Sequence, residues 1–287
     1  MRLCRIVCTV LLVLLAFPVQ GRAGSNAMGS FCPVVARGKI AGGESQDGKL
    51  STYLLGGWSG KAWLQDKAAA PLVRGGERYR FYDLTGALGV AAGDLPSAFG
   101  AEGEPCYETL TVSFGAPPRI KGDFVAVSGT FAPLPRPPSL LSTEQQVYKD
   151  AATAILRKKG ITRPDVRLTQ VIRVDLKGDG VEEVLVSATH YAGGLSPRAA
   201  SGDYSMVFLR RVLNGKVATR LIAGDFFRRA IKFGSPAEHR VAAVLDLNGD
   251  GVMEIVLFGR YYEGDWITAF SVDREGIVEI FSSGCGL

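Results

Sequence analysis

The sequence predicts a mainly β protein: two four-stranded antiparallel units in the carboxy-terminal half, a β-rich amino-terminal half and one α-helix. Three observations predict it. From Arg167 onward, apolar runs of strand length follow an order that occurs twice: strand, Asp-rich loop, strand, turn, strand, turn, strand. The leading aspartates of the two loops, Asp175 and Asp246, lie 71 residues apart, a fitting period for a four-stranded repeat. Asn214-Gly215 sits between alternating apolar runs, a strong short-range hairpin signal. Helical periodicity with matching start and stop signals occurs in a single stretch.

Taken in order, residues 1–23 combine early arginines, an apolar run from Ile6 to about Val19 and a small residue at Ala23, the pattern of a secretory signal peptide. The run is shorter than the roughly 18 residues of a membrane span, and no later stretch approaches that length, so no span is expected in the mature chain. No Cys follows the run closely, which argues against a lipid anchor. Residues 24–131 alternate aromatic and β-branched runs with glycines and read as strands without an Asp loop. Residues 132–141 are the expected connector, because "FAPLPRPPS", Phe131 to Ser139, places four prolines in nine residues. The helix is expected over about Thr143 to Lys159. Ser142 and Gln145 make a capping box, Val147, Ala151, Ile155 and Leu156 share a face, and Gly160 ends it. The two repeats complete the unit 142–287.

Composition narrows the function classes. Without the leader and its three arginines the net charge falls from +5 to +2, and the basic residues do not cluster as a nucleic-acid protein requires. Cys32, Cys106 and Cys285 remain in a secreted or periplasmic, oxidising compartment, enough for one disulfide. All three pairings are open. Cys32 with Cys106 is preferred because both lie in the amino-terminal half.

The Asp loops carry the clearest chemistry. In "DLNGDGVMEIVL", Asp246, Asn248 and Asp250 alternate, and Glu254 follows Gly251 by three, so that oxygens converge as a hard cation requires. In "DLKGDGVEEVLV", Asp175, Asp179 and Glu183 repeat the spacing, but Lys177 stands where Asn248 does. An EF-hand is excluded, since its twelfth position falls on apolar Leu257 and a strand follows. The alternative is an Asp/Gly-rich turn that binds nothing.

These two segments resemble the FG-GAP or VCBS repeat, in which a calcium loop sits on a hairpin within a propeller blade. The resemblance covers about residues 167–282. It implies Ca²⁺ ligation by Asp246, Asn248, Asp250, the Val252 carbonyl and Glu254, and at the first loop by Asp175, Asp179, the Val181 carbonyl and Glu183. It also implies a propeller-like or partial-propeller arrangement, although two units are fewer than such propellers contain.

Other candidates are less specific. His190 and His239 are 49 residues apart with no ligand spacing. "GGWSGK", Gly56 to Lys61, places Gly60 wrongly for a nucleophile elbow and reads as a turn. Tyr261, Tyr262 and Trp266 are a candidate surface for a protein or glycan ligand, with strand packing as the alternative. Arg228, Arg229 and Lys232 would suit an acidic partner or a solvated face equally. The expectation is an exported, calcium-stabilised, non-catalytic scaffold or binding module. The rival is a secreted hydrolase or polysaccharide-processing enzyme with Asp123 or Glu108 in a pocket between the halves.

Overall fold

The computed structural model describes residues 31–37, 49–273 and 276–286. The leader, its cleavage near Ala23 and part of the turn expected at Arg274 to Gly276 lie outside the described residues. The described chain is mainly β, built from three antiparallel sheets.

The glycine-split runs of the amino-terminal half give β1 (Cys32–Arg37), β2 (Leu50–Trp58), β3 (Trp63–Gln65), β4 (Arg78–Asp83), β5 (Gly86–Ala92), β6 (Ser97–Ala98), β7 (Leu110–Phe114) and β8 (Phe124–Ser128). They form one sheet in the order β5-β4-β8-β1-β2-β7-β6, with β3 paired to β2. That order is not sequential, so this half is no third up-and-down unit. Alternation sends Val34, Tyr53 and Leu55 to one face and Val35, Leu54 and Phe114 to the other. The sheet curls on the second face: the Phe81 and Phe114 rings meet at 5.0 Å although three strands separate β4 from β7. A short helix, α1 (Asp66–Ala69), follows β3 and has no counterpart in the sequence expectation.

The proline-rich segment runs extended as expected, but its end pairs. β9 (Ser139–Leu140) lies beyond the last proline, where backbone N–H groups are again available, and joins Arg173 and Ile172. Helix α2 spans Gln146–Lys158, starting later than the capping box implied. Ser142 Oγ instead accepts the Glu144 N–H at 3.2 Å, within the turn before the helix. Ala152 and Leu156 are buried as the periodicity suggested, whereas Val147, one turn earlier, is 52% exposed.

The first repeat is β10 (Leu168–Val174), β11 (Glu183–His190), β12 (Tyr204–Leu213) and β13 (Lys216–Phe226), an up-and-down meander with β9 on its edge. The turn at Asn214-Gly215 takes positive φ at both residues, 52° and 73°, as a two-residue hairpin turn demands. The second repeat is β14 (Glu238–Leu245), β15 (Glu254–Tyr261), β16 (Gly264–Val272) and β17 (Ile277–Cys285), again sequential.

The layers stack in a fixed order. Ala152 and Leu156 of α2 pack with Val186, Tyr204 and Phe208 on one face of the first repeat. That repeat's other face, with Ile172 and Leu209, meets Val244, Ile255 and Leu257 of the second. The second repeat's opposite face, with Phe258, Ile267 and Phe281, covers the amino-terminal sheet at Val34, Leu55 and Val127. The second repeat therefore buries apolar side chains on both faces, although its last strand, β17, exposes Val278, Glu279 and Ser282. At about 1.5–3 kcal/mol for each large apolar side chain buried, this central layer holds the fold together.

The disulfide joins Cys106 to Cys285, 179 residues apart, and corrects the preferred Cys32–Cys106 pairing. Cys32 is buried in β1, whose neighbours are β2 and β8. Cys106 precedes β7 at the sheet's other side, where the end of β17 arrives: the Thr109 hydroxyl donates to the Gly284 carbonyl at 2.7 Å. Proximity in sequence was the wrong criterion, because the last strand folds back on the first sheet.

Candidate functional site

The two Asp loops are the same structure made twice. Each connects the first two strands of its repeat through eight residues, closing on equivalent pairs, Val174 with Glu183 and Leu245 with Glu254. In the second loop Asp246 Oδ1 accepts the N–H groups of Gly249 at 2.6 Å and Asn248 at 3.2 Å, and Oδ2 accepts that of Gly251 at 2.9 Å. In the first, Asp175 accepts from Gly178 at 2.7 Å, Asp179 at 3.2 Å and Gly180 at 2.9 Å. Gly178, Gly180, Gly249 and Gly251 have φ between +72° and +87°, a region in which a Cβ is strained. The final Glu of each loop turns back to cap it. Glu183 Oε2 accepts the Leu176 N–H at 3.0 Å, and Glu254 Oε2 accepts that of Leu247 at 2.8 Å.

The middle positions differ. Asn248 Oδ1 accepts the Asp250 N–H and its Nδ2 donates to Asp250 Oδ2, both at 3.0 Å, while Asp250 Oδ1 accepts from Val252 N–H at 2.7 Å. In the first loop Asp179 accepts from Val181 N–H at 2.9 Å, but Lys177 places its ammonium 3.8 Å from Glu183 Oε1. Electrostatics follow from this exchange. Burial pushes Glu254 up to about 8, and Asp250 and Asp246 add to the rise. Burial also raises Glu183, against which the Leu176 N–H and Lys177 act. Burial raises Asp246 despite its three N–H donors. At Asp175 burial works upward too, but the N–H groups of Gly180, Gly178 and Asp179, helped by Arg136, hold the carboxyl below its ordinary value.

Arg136, the single basic residue among the connector prolines, ties the two loops together. Its Nε donates to the Asp175 carbonyl at 2.6 Å, and its Nη2 donates to those of Leu176 at 3.1 Å and Gly251 at 2.5 Å. The Met253 N–H donates across to the same Leu176 carbonyl at 2.8 Å, and the Asp246 N–H to Pro133 at 2.8 Å. A Cβ at Gly249 would stand 2.9 Å from the Phe131 ring, so the connector packs on the loop as tightly as glycine permits. Nothing in the spacing of acids marked Arg136, since its partners are backbone carbonyls.

Among the described residues, no group of three or more His, Cys, Asp or Glu side chains is arranged as a metal-binding set. The loop carboxylates spend their hydrogen bonds on the loop's own backbone. At the second loop Asp246, Asn248, Asp250 and Glu254 offer oxygen donors of the kind a hard cation takes, and among the described residues none of the hydrogen bonds to the three acids comes from a basic side chain.

The other candidate residues separate. Tyr261 and Tyr262 line a cavity of about 430 Å³ with Asp265, whereas Trp266 packs over Gly259 and edge-on to His239 at 5.8 Å. His239 is held below its ordinary pKa by burial. His190 lies 3.9 Å from Asp165, on another sheet from His239. Ser59 is a turn residue bonded to Ala62. Asp123 makes a two-pronged pair with Arg240 at 2.5 and 2.7 Å, and Glu108 pairs with Lys67 on the surface. Arg228 and Arg229 line a separate open cleft with Phe227 and Ile231. No helix of the described residues is long and apolar enough to cross a membrane. No protein-family model, curated protein or solved structure matches the chain.

Proposed function

We infer that the protein is an exported, non-catalytic β scaffold of the FG-GAP or VCBS kind, with Ca²⁺ held at the second Asp loop as a structural ion. The observation that carries this reading is the exchange of Lys177 for Asn248 in two loops whose leading aspartates accept the equivalent glycine N–H groups and whose final glutamates accept the equivalent leucine N–H. The first loop brings its own cation to its buried glutamate. The second leaves buried Glu254 and Asp246, beside exposed Asp250, with no basic side chain among their hydrogen bonds in the described residues, and buried carboxylates are costly unless a proton or a metal ion neutralises them. Asp246, Asn248, Asp250, Glu254 and the Val252 carbonyl would hold the ion, which would supply charge neutralisation and rigidity. Asp175, Asp179, the Val181 carbonyl and Glu183 would hold a second ion only weakly.

The non-catalytic part of the reading is supported by the acids named for a hydrolase. Asp123 is committed to Arg240 and Glu108 to Lys67, on different parts of the molecule. Calcium titration of chelator-stripped protein by calorimetry tests the metal. One site is expected in the wild type and a second in Lys177→Asn. Heat of dilution alone in both proteins would remove the calcium reading.

A further inference from the structure

Two basic runs that lie far apart in sequence meet at one place in the fold. Helix α2 ends in Arg157 and Lys158, with Lys159 at its cap. The loop from β13 to β14 carries Arg228, Arg229 and Lys232. Lys159 Nζ stands 5.2 Å from the centroid of the Phe226 ring, and the Arg228 stem leaves no room for a Cβ on Gly160, so the helix end and the loop are in direct contact. At the junction lies the cleft of about 530 Å³ lined by Phe226, Phe227, Arg228, Arg229 and Ile231. All six basic side chains are exposed.

No acid answers this charge. Residues 226–237 contain none. Asp225 Oδ2 accepts the Ala237 N–H at 2.9 Å, and the Asp203 carboxylate accepts those of Ala192 at 3.0 Å and Ala200 at 2.8 Å, so the acids beside the loop are bonded to backbone. Among the described residues none of the six basic side chains takes part in an ion pair. The dipole of α2 accounts for Arg157 and Lys158 near its carboxy-terminal end. It does not account for Arg228, Arg229 and Lys232, nor for Phe233, which follows Lys232 and is 88% exposed. An aromatic ring held in water beside uncompensated cations matches an anionic bilayer on both counts, since the headgroups take the cations and the interfacial layer takes the ring. A soluble polyanion would satisfy the charges and leave Phe233 in water.

We propose that this face, formed by the end of α2 and the β13–β14 loop, docks on the surface of an anionic phospholipid bilayer, with Phe233 at the headgroup level and the basic side chains against the lipid phosphates. A cluster of about four to eight Lys or Arg is enough for such attraction, and an inserted apolar side chain supplies the second contribution that interfacial binding draws on. The attachment is peripheral and needs no spanning segment. It goes beyond the calcium reading and rests on different residues.

The test uses the chain beginning at Gly24, which keeps every described residue, in chelator so that no calcium bridges protein to lipid. Co-sedimentation measures partition onto vesicles of phosphatidylglycerol and phosphatidylcholine in equal parts, against vesicles of phosphatidylcholine alone. Partition is expected to be at least about tenfold stronger onto the anionic vesicles and to fall as salt is raised. Arg229→Glu combined with Lys232→Glu should weaken it at least about tenfold, and Phe233→Ser at least about fivefold. All three side chains are exposed, so neither variant should lower the melting temperature. Poly-glutamate, standing in for an acidic protein, should bind more weakly and be indifferent to Phe233→Ser. The proposal is overturned by no partition onto either vesicle, by equal partition onto both, by wild-type partition in either variant, or by poly-glutamate binding as tightly and losing as much in Phe233→Ser.

Discussion

Lys177 places its ammonium 3.8 Å from Glu183 Oε1, so the first Asp loop carries a built-in counter-charge for its buried glutamate. The ammonium is about a quarter exposed and the glutamate is not, so the pair is worth more than a surface salt bridge. Lys177→Asn should therefore lower the melting temperature in chelator and gain a calcium-dependent recovery that the wild-type loop lacks. Differential scanning calorimetry with and without calcium reads both effects. A variant that loses stability in chelator and recovers nothing in calcium would mean that Lys177 replaces no ion.

Arg136 is expected to matter more for the loops than any single acid. Arg136→Ala strands the Asp175 and Gly251 carbonyls and leaves that of Leu176 to the Met253 N–H alone, and it should cost about 2–3 kcal/mol, or roughly 5–10 °C in a chain of this size. Hydrogen exchange should quicken at residues 176–180 and 247–253 together, since one guanidinium reaches both loops. Arg136→Lys should restore little, because an ammonium lacks the planar fork.

The disulfide between Cys106 and Cys285 closes a long loop that spans all three sheets. Replacing both by Ser should cost about 2–4 kcal/mol. Thiol counting on denatured, non-reduced protein that begins at Gly24 should find one thiol, at Cys32; three would refute the bond.

Asp265 gives a pH signature. Its folded pKa is raised above the unfolded value of about 3.9, so the native state binds the proton more tightly than the unfolded state does. Its contribution to stability is then complete at low pH and is lost as pH rises through that window. Asp265→Asn should melt higher than wild type at pH 7, and the gap should close as the pH falls below about 4. Equal gaps at both pH values would show that the carboxyl's charge is not the cause.

The repeats were legible because their signals are local. Alternation, Asn214-Gly215 and the spacing of Asp, Gly and Glu each act within a dozen residues, and all eight strands of the two repeats follow from them. The loop conformation itself was readable, since Gly178 and Gly249 take the positive φ that their neighbours' carboxylates require. What escaped depends on distant partners. Cys285 meets Cys106 only because β17 packs against the first sheet, and Tyr53 joins Tyr261 from more than two hundred residues away. Arg136 binds carbonyls, which every residue has, so no pattern of side chains could reveal it. The capping box at Ser142 was present in sequence, but the chain used that serine in the preceding turn and began α2 at Gln146.

Thermal unfolding of chelator-stripped protein, with and without millimolar calcium, tests the central claim most directly. An ion that binds only the folded state at a hundred times its dissociation constant stabilises by about 2.7 kcal/mol, or roughly 5–10 °C here. The wild type should show that shift, Asp250→Ala should lose most of it, and Asp179→Ala should keep it. Identical melting temperatures for the wild type in calcium and in chelator would contradict the claim and leave both loops as self-capped turns.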